Sequence, residues 1–330
     1  MSAFDQLIGE SKAMVDLKSQ ARMVAATPLS ILIQGETGTG KEVLARALHQ
    51  ASERTGLFVA VDCAALAQGL VESELFGHVR GAFTGANRSR GGLVSAAEGG
   101  TLFFDEVADL PPEAQTRLLR LVQEGSWRPV GGDREQTADL RIIAATWKDL
   151  SDEVRQGRFR ADLYHRLAVV ELHLPPLRDR GEDVLALARK FLASEARSAG
   201  RDVPKLSAAL GRQLARMPWP GNVRELKNTM AYLAVMPVNS EVTPDDLPAR
   251  LKAKPRSRAQ SGPPVRTDLP YLEARRVWLD SFQAHYVSAV LDEHDGNVSA
   301  AARAAGLDRR TIQRVRSRLL SPPSSPTKDP

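Results

Sequence analysis

Short, almost wholly apolar runs recur along the first half of the chain: LSILIQ at residues 29–34, LFVAV at 57–61, GGTLFF at 99–104 and DLRIIAAT at 139–146. Continuous apolar runs of this length predict strands buried on both faces. Between them the period changes. VLARALHQAS and ADLPPEAQTRLLRLVQEG place apolar residues every three or four positions, and the second opens on Pro-Pro, which suits a helix start. Alternating strands and helices predict an α/β fold with a parallel sheet flanked by helices. The stretch ELFGHVRGAFTGANRSRGG carries five glycines and several basic residues. It predicts a helix interrupted by an exposed loop bearing Phe83 and Thr84. An aromatic at such a tip costs hydrophobic free energy unless a partner covers it.

From residue 175 to 250 the pattern is helical, with Val184, Leu187, Ala188 and Phe191 on one face. A Pro/Ser/basic stretch at 251–268 reads as a linker. An amphipathic helix is predicted from about Tyr271 to Glu293, then a turn at Asp295-Gly296-Asn297. A short helix starts at Val298, Ala305-Gly306-Leu307 turns again, and Arg309 to Leu319 forms a third helix. That is helix-turn-helix spacing with glycine in the turn. Ile312, Val315 and Leu319 share the core face, which leaves Arg309, Arg310, Gln313, Arg314 and Arg316 mostly on the others. The last ten residues, SPPSSPTKDP at 321–330, have the composition of a disordered tail.

Composition adds three things. The 330 residues are 42% hydrophobic and 26% charged, ordinary for a globular chain with room for two or three domains. A single cysteine, Cys63, excludes an intrachain disulfide and a cysteine-only zinc site. No apolar run spans a membrane and the N-terminus lacks a secretory pattern, so a cytoplasmic location is expected. The net charge of +5 is uneven: residues 251–330 hold 14 Lys+Arg against 8 Asp+Glu, which leaves the first 250 at −1. A neutral body with a basic end points to nucleic acid at that end.

Candidate chemistry gathers at the strand ends. Gly35-Glu36-Thr37-Gly38-Thr39-Gly40-Lys41-Glu42 follows one strand and opens a helix, the context of a phosphate-binding loop. Backbone N–H groups converge on phosphates there, the helix N-terminus adds partial positive charge, and Lys41 reaches the β- and γ-phosphates. Glu42 stands where Ser or Thr usually meets magnesium. A second strand ends in Asp105-Glu106, with Asp105 expected to hold Mg2+ and Glu106 to polarise the attacking water. Arg160 and Arg166 in FRADLYHRL read alone as solvated surface charges. In a ring ATPase, such residues can instead reach a neighbour's γ-phosphate.

Taken in order, GETGTGKE, ELFGH, GAFTGA, GGTLFFDEV, FRADLYHRL, LPPLRDR and PWPGNVRELKN resemble the sigma-54-dependent transcriptional activators, the bacterial enhancer-binding proteins of the AAA+ class. The likeness covers about residues 4–247, and the C-terminal segment is similar to their Fis-type helix-turn-helix. It implies an AAA+ P-loop NTPase subdomain over 1–173 and an all-helical lid over 174–250. The linker at 251–268, a DNA-binding domain over 269–320 and the tail complete the layout. It implies a homo-oligomeric ring, usually a hexamer, that hydrolyses ATP with Mg2+ between subunits. It also implies that the loop Gly81-Ala82-Phe83-Thr84-Gly85-Ala86 contacts sigma-54 RNA polymerase while the C-terminal domain holds double-stranded DNA upstream. Arg160 and Arg166 match the arginines acting in trans, Arg224 the sensor II arginine on the nucleotide, and Thr146 lies in sensor I. The module starts almost at Met1, so control by a separate regulatory protein is expected.

Two positions depart from the family. Asp62 stands where members usually carry Asn, and Trp147 follows Thr146 where Asn is common. An Asp62 beside Glu106 is expected to repel it or share a proton with it. The departures leave a rival reading, a DNA-binding regulator with weak or lost ATPase. A general AAA+ remodelling enzyme with another client is disfavoured by GAFTGA together with the helix-turn-helix.

Overall fold

The computed structural model describes residues 3–65, 70–83, 86–236, 240–252, 268–294 and 297–320. It divides into two compact units, Met1–Pro248 and Ala249–Pro330.

In chain order the first unit begins α1 (Lys12–Ala25), β1 (Ile31–Gln34), α2 (Lys41–Gln50), β2 (Phe58–Asp62), α3 (Val71–Phe76), α4 (Leu93–Ala96) and β3 (Thr101–Asp105). It continues α5 (Pro112–Glu124), β4 (Ser126–Trp127), β5 (Gln136–Thr137), β6 (Arg141–Thr146), α6 (Leu150–Arg155), α7 (Ala161–Leu167) and β7 (Val170–His173). The helical part follows: α8 (Asp183–Ser198), β8 (Lys205–Leu206), α9 (Ala208–Arg216), α10 (Asn222–Val235) and β9 (Glu241–Val242).

Five parallel strands are ordered β2-β3-β6-β1-β7. The reason for the continuous apolar runs is visible in the packing. Leu102, Phe104, Ile142 and Ala144 join one core with α3–α7, while their neighbours Phe103, Ile143 and Ala145 join the other with α1 and α2. The central strands β1, β3 and β6 are covered on both faces, so few of their positions need to be polar, whereas the edge strand β7 alternates, with Glu171 and His173 exposed. Parallel pairing brings the carboxyl ends of β1, β2, β3 and β6 to one edge, where Gln34 pairs with Thr146 and Asp62 with Asp105. Ligands of open α/β sheets bind at that edge.

In the helical part α8 buries Val184, Leu187, Ala188, Leu192 and Ala196, and α10 buries Leu226, Met230, Leu233 and Ala234. The expected stripe is thus corrected at one position. Leu192, not Phe191, completes the core face, and Phe191 stays half-exposed.

The second unit contains α11 (Ala249–Lys252), α12 (Tyr271–Glu293), α13 (Val298–Ala305) and α14 (Arg309–Leu320). Its core joins Val287 and Leu291 of α12, Ala301 and Ala302 of α13, and Ile312 and Val315 of α14. Asn297 caps α13 by accepting from the N–H groups of Ser299 and Ala300. Gly306 ends it at φ +63. The helix α12 is not amphipathic along its length as expected. Only its last turns enter this core, while Tyr271, Leu272, Val277, Leu279, Phe282 and Tyr286 are exposed. Most of the expected linker, the Asp295-Gly296 turn, the Leu319 side chain and the tail at 321–330 lie outside the described residues.

Candidate functional site

A cleft of about 580 Å³ opens at the carboxyl edge of the sheet. It is lined by Thr37, Gly38, Gly40, Lys41, Glu42, Asp105 and Glu106 from the α/β part, and by Phe191, Val223 and Arg224 from the helical part. Both sets belong to the first unit.

The glycine loop leaves β1 and enters α2 with Gly38 at φ +80 and Gly40, the residue before the helix, at φ +107. A Cβ at Gly38 would also lie 2.5 Å from the Gly221 carbonyl oxygen, so neither backbone nor space admits a side chain there. Thr39 is buried and donates its hydroxyl to the Glu36 carbonyl at 2.7 Å. Lys41 is buried, with Nζ 3.0 Å from the Gly35 carbonyl and 3.1 Å from Glu106 Oε1. Glu42 is turned to solvent and paired with Arg46 one helical turn on, at 2.7 Å.

The two carboxylates after β3 have different surroundings. Asp105 Oδ1 is buried and has no hydrogen-bond partner among the described residues. Burial, then the charge of Glu106, raises the Asp105 carboxyl above its ordinary value, with Lys41 opposing. An orphaned anionic oxygen in such a place fits a hard divalent cation that takes oxygen ligands. Glu106 sits at φ +54, a left-handed conformation costing a non-glycine residue of order 1–3 kcal/mol. That turn carries its carboxylate to Lys41 on one side and to the Trp147 N–H, 3.1 Å away, on the other.

Asp62 is placed differently from expectation. Its Oδ1 accepts from the N–H groups of Ala64 and Ala65 at 3.1 and 3.2 Å, closing its own turn. No hydrogen bond joins it to Glu106 among the described residues; its strand partner is Asp105. Thr146 is fully buried, and its hydroxyl accepts from Lys148 N–H at 3.0 Å. Trp147 is 56% exposed, with Lys148 Nζ 5.8 Å from the ring centre.

Arg224 stands on the first turn of α10, facing the cleft, and its backbone N–H donates to the Gly38 carbonyl at 3.2 Å. Arg160 precedes α7 and is held within the chain by Asp162, at 2.8 Å. Arg166 is exposed on α7 and has no ion pair or hydrogen bond among the described residues.

Residues 81–83 and 86 form a loop remote in kind from the cleft. Gly81 N–H donates to the Ala86 carbonyl at 2.8 Å, and Ala86 N–H to that of Phe83 at 3.0 Å. Phe83 is 37% exposed and sets its ring edge-on to His78, 5.0 Å between centres. His78 itself bridges Arg90 and Val130, which ties the loop base to the β4–β5 hairpin. Thr84 and Gly85 lie outside the described residues. On α14, Arg309, Arg310, Gln313 and Arg314 are all exposed, while Ile312 and Val315 face inward. Arg316 keeps its place on the helix, but its side chain lies outside the described residues.

Sequence reasoning missed Phe191 in the cleft, and Arg178, Arg180 and Asn222 around the glycine loop. The last three sit within LPPLRDR and PGNVREL, so the letters were there. What they touch lies more than 140 residues away in sequence.

Known proteins share this plan. Residues 7–173 match the family described as Sigma-54 interaction domain, residues 178–263 the AAA+ ATPase lid domain, and residues 279–316 the Bacterial regulatory protein, Fis family. The chain is 43% identical to "Regulatory protein LuxO" of Vibrio cholerae over 95% of its length and 61% of that protein. It is 48% identical to "DNA-binding transcriptional regulator NtrC" of Klebsiella pneumoniae over 74% of its length and 52% of that protein. Among solved structures, NtrX from Brucella abortus in complex with ADP is similar with a TM-score of 0.70 at 34% identity. The likeness covers 95% of this chain and 70% of that one. The same protein in complex with ATP gives a TM-score of 0.69. The chain thus spans about half to two thirds of the length of these curated relatives.

Proposed function

The chain belongs to the sigma-54 interaction family of AAA+ regulators, and from that premise we propose that it hydrolyses ATP to remodel the sigma-54 RNA polymerase closed complex and open the promoter. The observation that carries the reading is the cleft itself. Strand ends from a parallel sheet bring a glycine loop, a buried lysine and two carboxylates together under Arg224 of the lid.

ATP is the substrate of this reading. The N–H groups of the glycine loop and the start of α2 bind its phosphates. Lys41 exchanges its contact with Glu106 for the phosphates, which frees Glu106 to orient and polarise water. The side chain that would hold Mg2+ is Asp105, through the oxygen the protein leaves unpaired. Bound there, Mg2+ supplies neutralisation of charge on the phosphate oxygens. Arg224 approaches the same phosphates from the lid. Arg166, with no ion pair or hydrogen bond among the described residues, suits a role on a neighbour's nucleotide in a hexameric ring, and Arg160 joins it by leaving Asp162.

The two remaining surfaces divide the partners. The loop 81–86 with the half-exposed Phe83 is the contact to sigma-54. The α14 face with Arg309, Arg310, Gln313 and Arg314 reads upstream double-stranded DNA in the major groove. A separate protein acting in trans as regulator fits this reading too.

The test is promoter opening by purified protein with sigma-54 polymerase on DNA carrying an upstream site, supplied with ATP or a non-hydrolysable analogue. Opening that needs hydrolysable ATP supports the reading. Specific DNA binding without measurable turnover would leave a DNA-binding regulator with a lost ATPase.

A further inference from the structure

The glycine loop has two sides, and the second is fully occupied. Thr37, Gly38 and Thr39 present three successive carbonyl oxygens, each accepting one hydrogen bond from the segment 175–224. Asn222 Nδ2 donates to Thr37 O at 3.1 Å, Arg224 N–H to Gly38 O at 3.2 Å, and Arg180 Nη2 to Thr39 O at 2.9 Å. Glu36 closes the end of the row. Its carboxylate takes a two-pronged bond from Arg178, at 2.6 and 2.9 Å, and one from Asn222 Nδ2 at 3.1 Å.

Two of these donors are committed residues. Asn222 is fully buried at φ +51, and its Oδ1 accepts from the Leu177 N–H at 2.8 Å, so both ends of the amide are bonded. Arg180 is buried as well, anchored on the Pro175 carbonyl at 2.8 and 2.9 Å. Burying a guanidinium this way is costly unless its donors are met. Here Nε and Nη2 are met by the loop and by the segment that leads into the lid.

In a trans peptide the carbonyl and the following N–H point in opposite directions. Holding the Thr37 and Thr39 carbonyls toward the lid therefore aims the N–H groups of Gly38 and Gly40 to the other side. Thr39 N–H closes a turn on Glu36 O at 3.3 Å. The lid thus sets the orientation of the donors that meet phosphate. Bonds on the two faces of one peptide group also polarise each other, so a phosphate on the N–H side strengthens the lid bond on the carbonyl side.

We propose that Asn222, Arg180 and the Glu36–Arg178 pair form a clasp of positioning residues that fastens the lid to the back of the glycine loop, so that nucleotide release requires the clasp to open. The inference rests on the nucleotide reading of the cleft. The arms differ in weight. The Glu36–Arg178 pair is 43 and 44% exposed and is screened by solvent, whereas Asn222 is wholly buried.

The test measures dissociation of a fluorescent ADP analogue, with KM and kcat for ATP, on the full chain. Asn222→Gly keeps the positive φ and removes the amide. It should release ADP roughly ten-fold faster, with the loss falling on KM, because the Thr37 carbonyl, the Glu36 carboxylate and the buried Leu177 N–H all lose their bond. Arg178→Ala touches only the exposed arm, cannot cost the fold much, and should speed release by about two- to five-fold. A merely structural role would lower the melting temperature and leave the rate per folded molecule unchanged. Release from either folded variant at the wild-type rate would overturn the clasp. If the wild type bound no ADP, the nucleotide reading itself would fall, and that outcome is seen before any variant is made.

Discussion

Residues 35–41 and 81–86 are both glycine-rich loops of small residues, and the protein treats them in opposite ways. The first is bonded along its carbonyl side. Its carbonyls are capped by the lid, Thr39 is tied to Glu36 and Lys41 is buried. Among its described residues the second is held by backbone bonds from Gly81 to Ala86, Ala82 to Val79 and Ala86 to Phe83 and by one ring edge, and it leaves Phe83 more than a third exposed. Glycine content alone does not separate a cradle from a presenting loop. What separates them is whether neighbouring chain satisfies the backbone polar groups that the absent side chains uncover. A fixed loop suits a ligand of constant shape, and a sparsely held one suits a surface that must move against a partner.

The sharpest break of that comparison is chemical. Glu106→Gln keeps the size of the side chain and one acceptor oxygen but removes the base, so ATP turnover should fall by about 10²- to 10⁴-fold while nucleotide binding persists. Steady-state hydrolysis beside equilibrium binding checks it, and turnover near the parent rate would take Glu106 out of the chemistry.

Stability separates two aromatics next. Phe103→Ala empties a fully buried site in the sheet and should cost about 3–5 kcal/mol. Phe83→Ala, in the presenting loop, should cost under about 1 kcal/mol. Denaturant melts of the two variants give the contrast directly, and an equal cost would mean that the loop is part of the core after all.

The central strands β1, β3 and β6 were legible in the sequence because they are covered on both faces, while the edge strand β7, with Glu171 and His173 exposed, was not read as a strand. Cover on both faces forces continuous apolar runs, with no polar alternation to confuse the period. The glycine loop was legible too, being local. What was not legible depends on register and on contacts distant in sequence. Asp62 and Glu106 both lie at strand ends, yet register pairs Asp62 with Asp105, and the left-handed turn at Glu106 carries its carboxylate to Lys41 and Trp147. Phe191 and Leu192 are adjacent at the edge of one helical stripe, and only packing decides which enters the core. The exposed apolar side chains of α12 look, letter by letter, like core positions.

Two smaller effects follow from these corrected contacts. Asp62→Asn retains an oxygen for the Ala64 and Ala65 N–H groups and leaves Glu106 with its own partners, so turnover should stay within about three-fold. A large change would show that Asp62 reaches Glu106 when nucleotide is bound.

The last effect is a pH null. Arg178 first, then Asn222, hold the Glu36 carboxyl at about 2. A depressed acid contributes above its unfolded value and loses that contribution as pH falls toward the folded one. The rate ratio between wild type and Arg178→Ala for ADP release should therefore be flat from about pH 6 to 8.5. A ratio that drifts across that window would assign the contact to another titrating group.

In the proposed function, hydrolysis in the cleft does its work through the loop at 81–86. The direct measurement is ATP consumed and open promoter complexes formed in the same reaction with sigma-54 polymerase, for wild type and Phe83→Ala. The account predicts that Phe83→Ala hydrolyses ATP within about two-fold of wild type, since an exposed loop side chain is not in the cleft, and forms no open complexes. Open complexes at the wild-type yield per ATP from Phe83→Ala would contradict it.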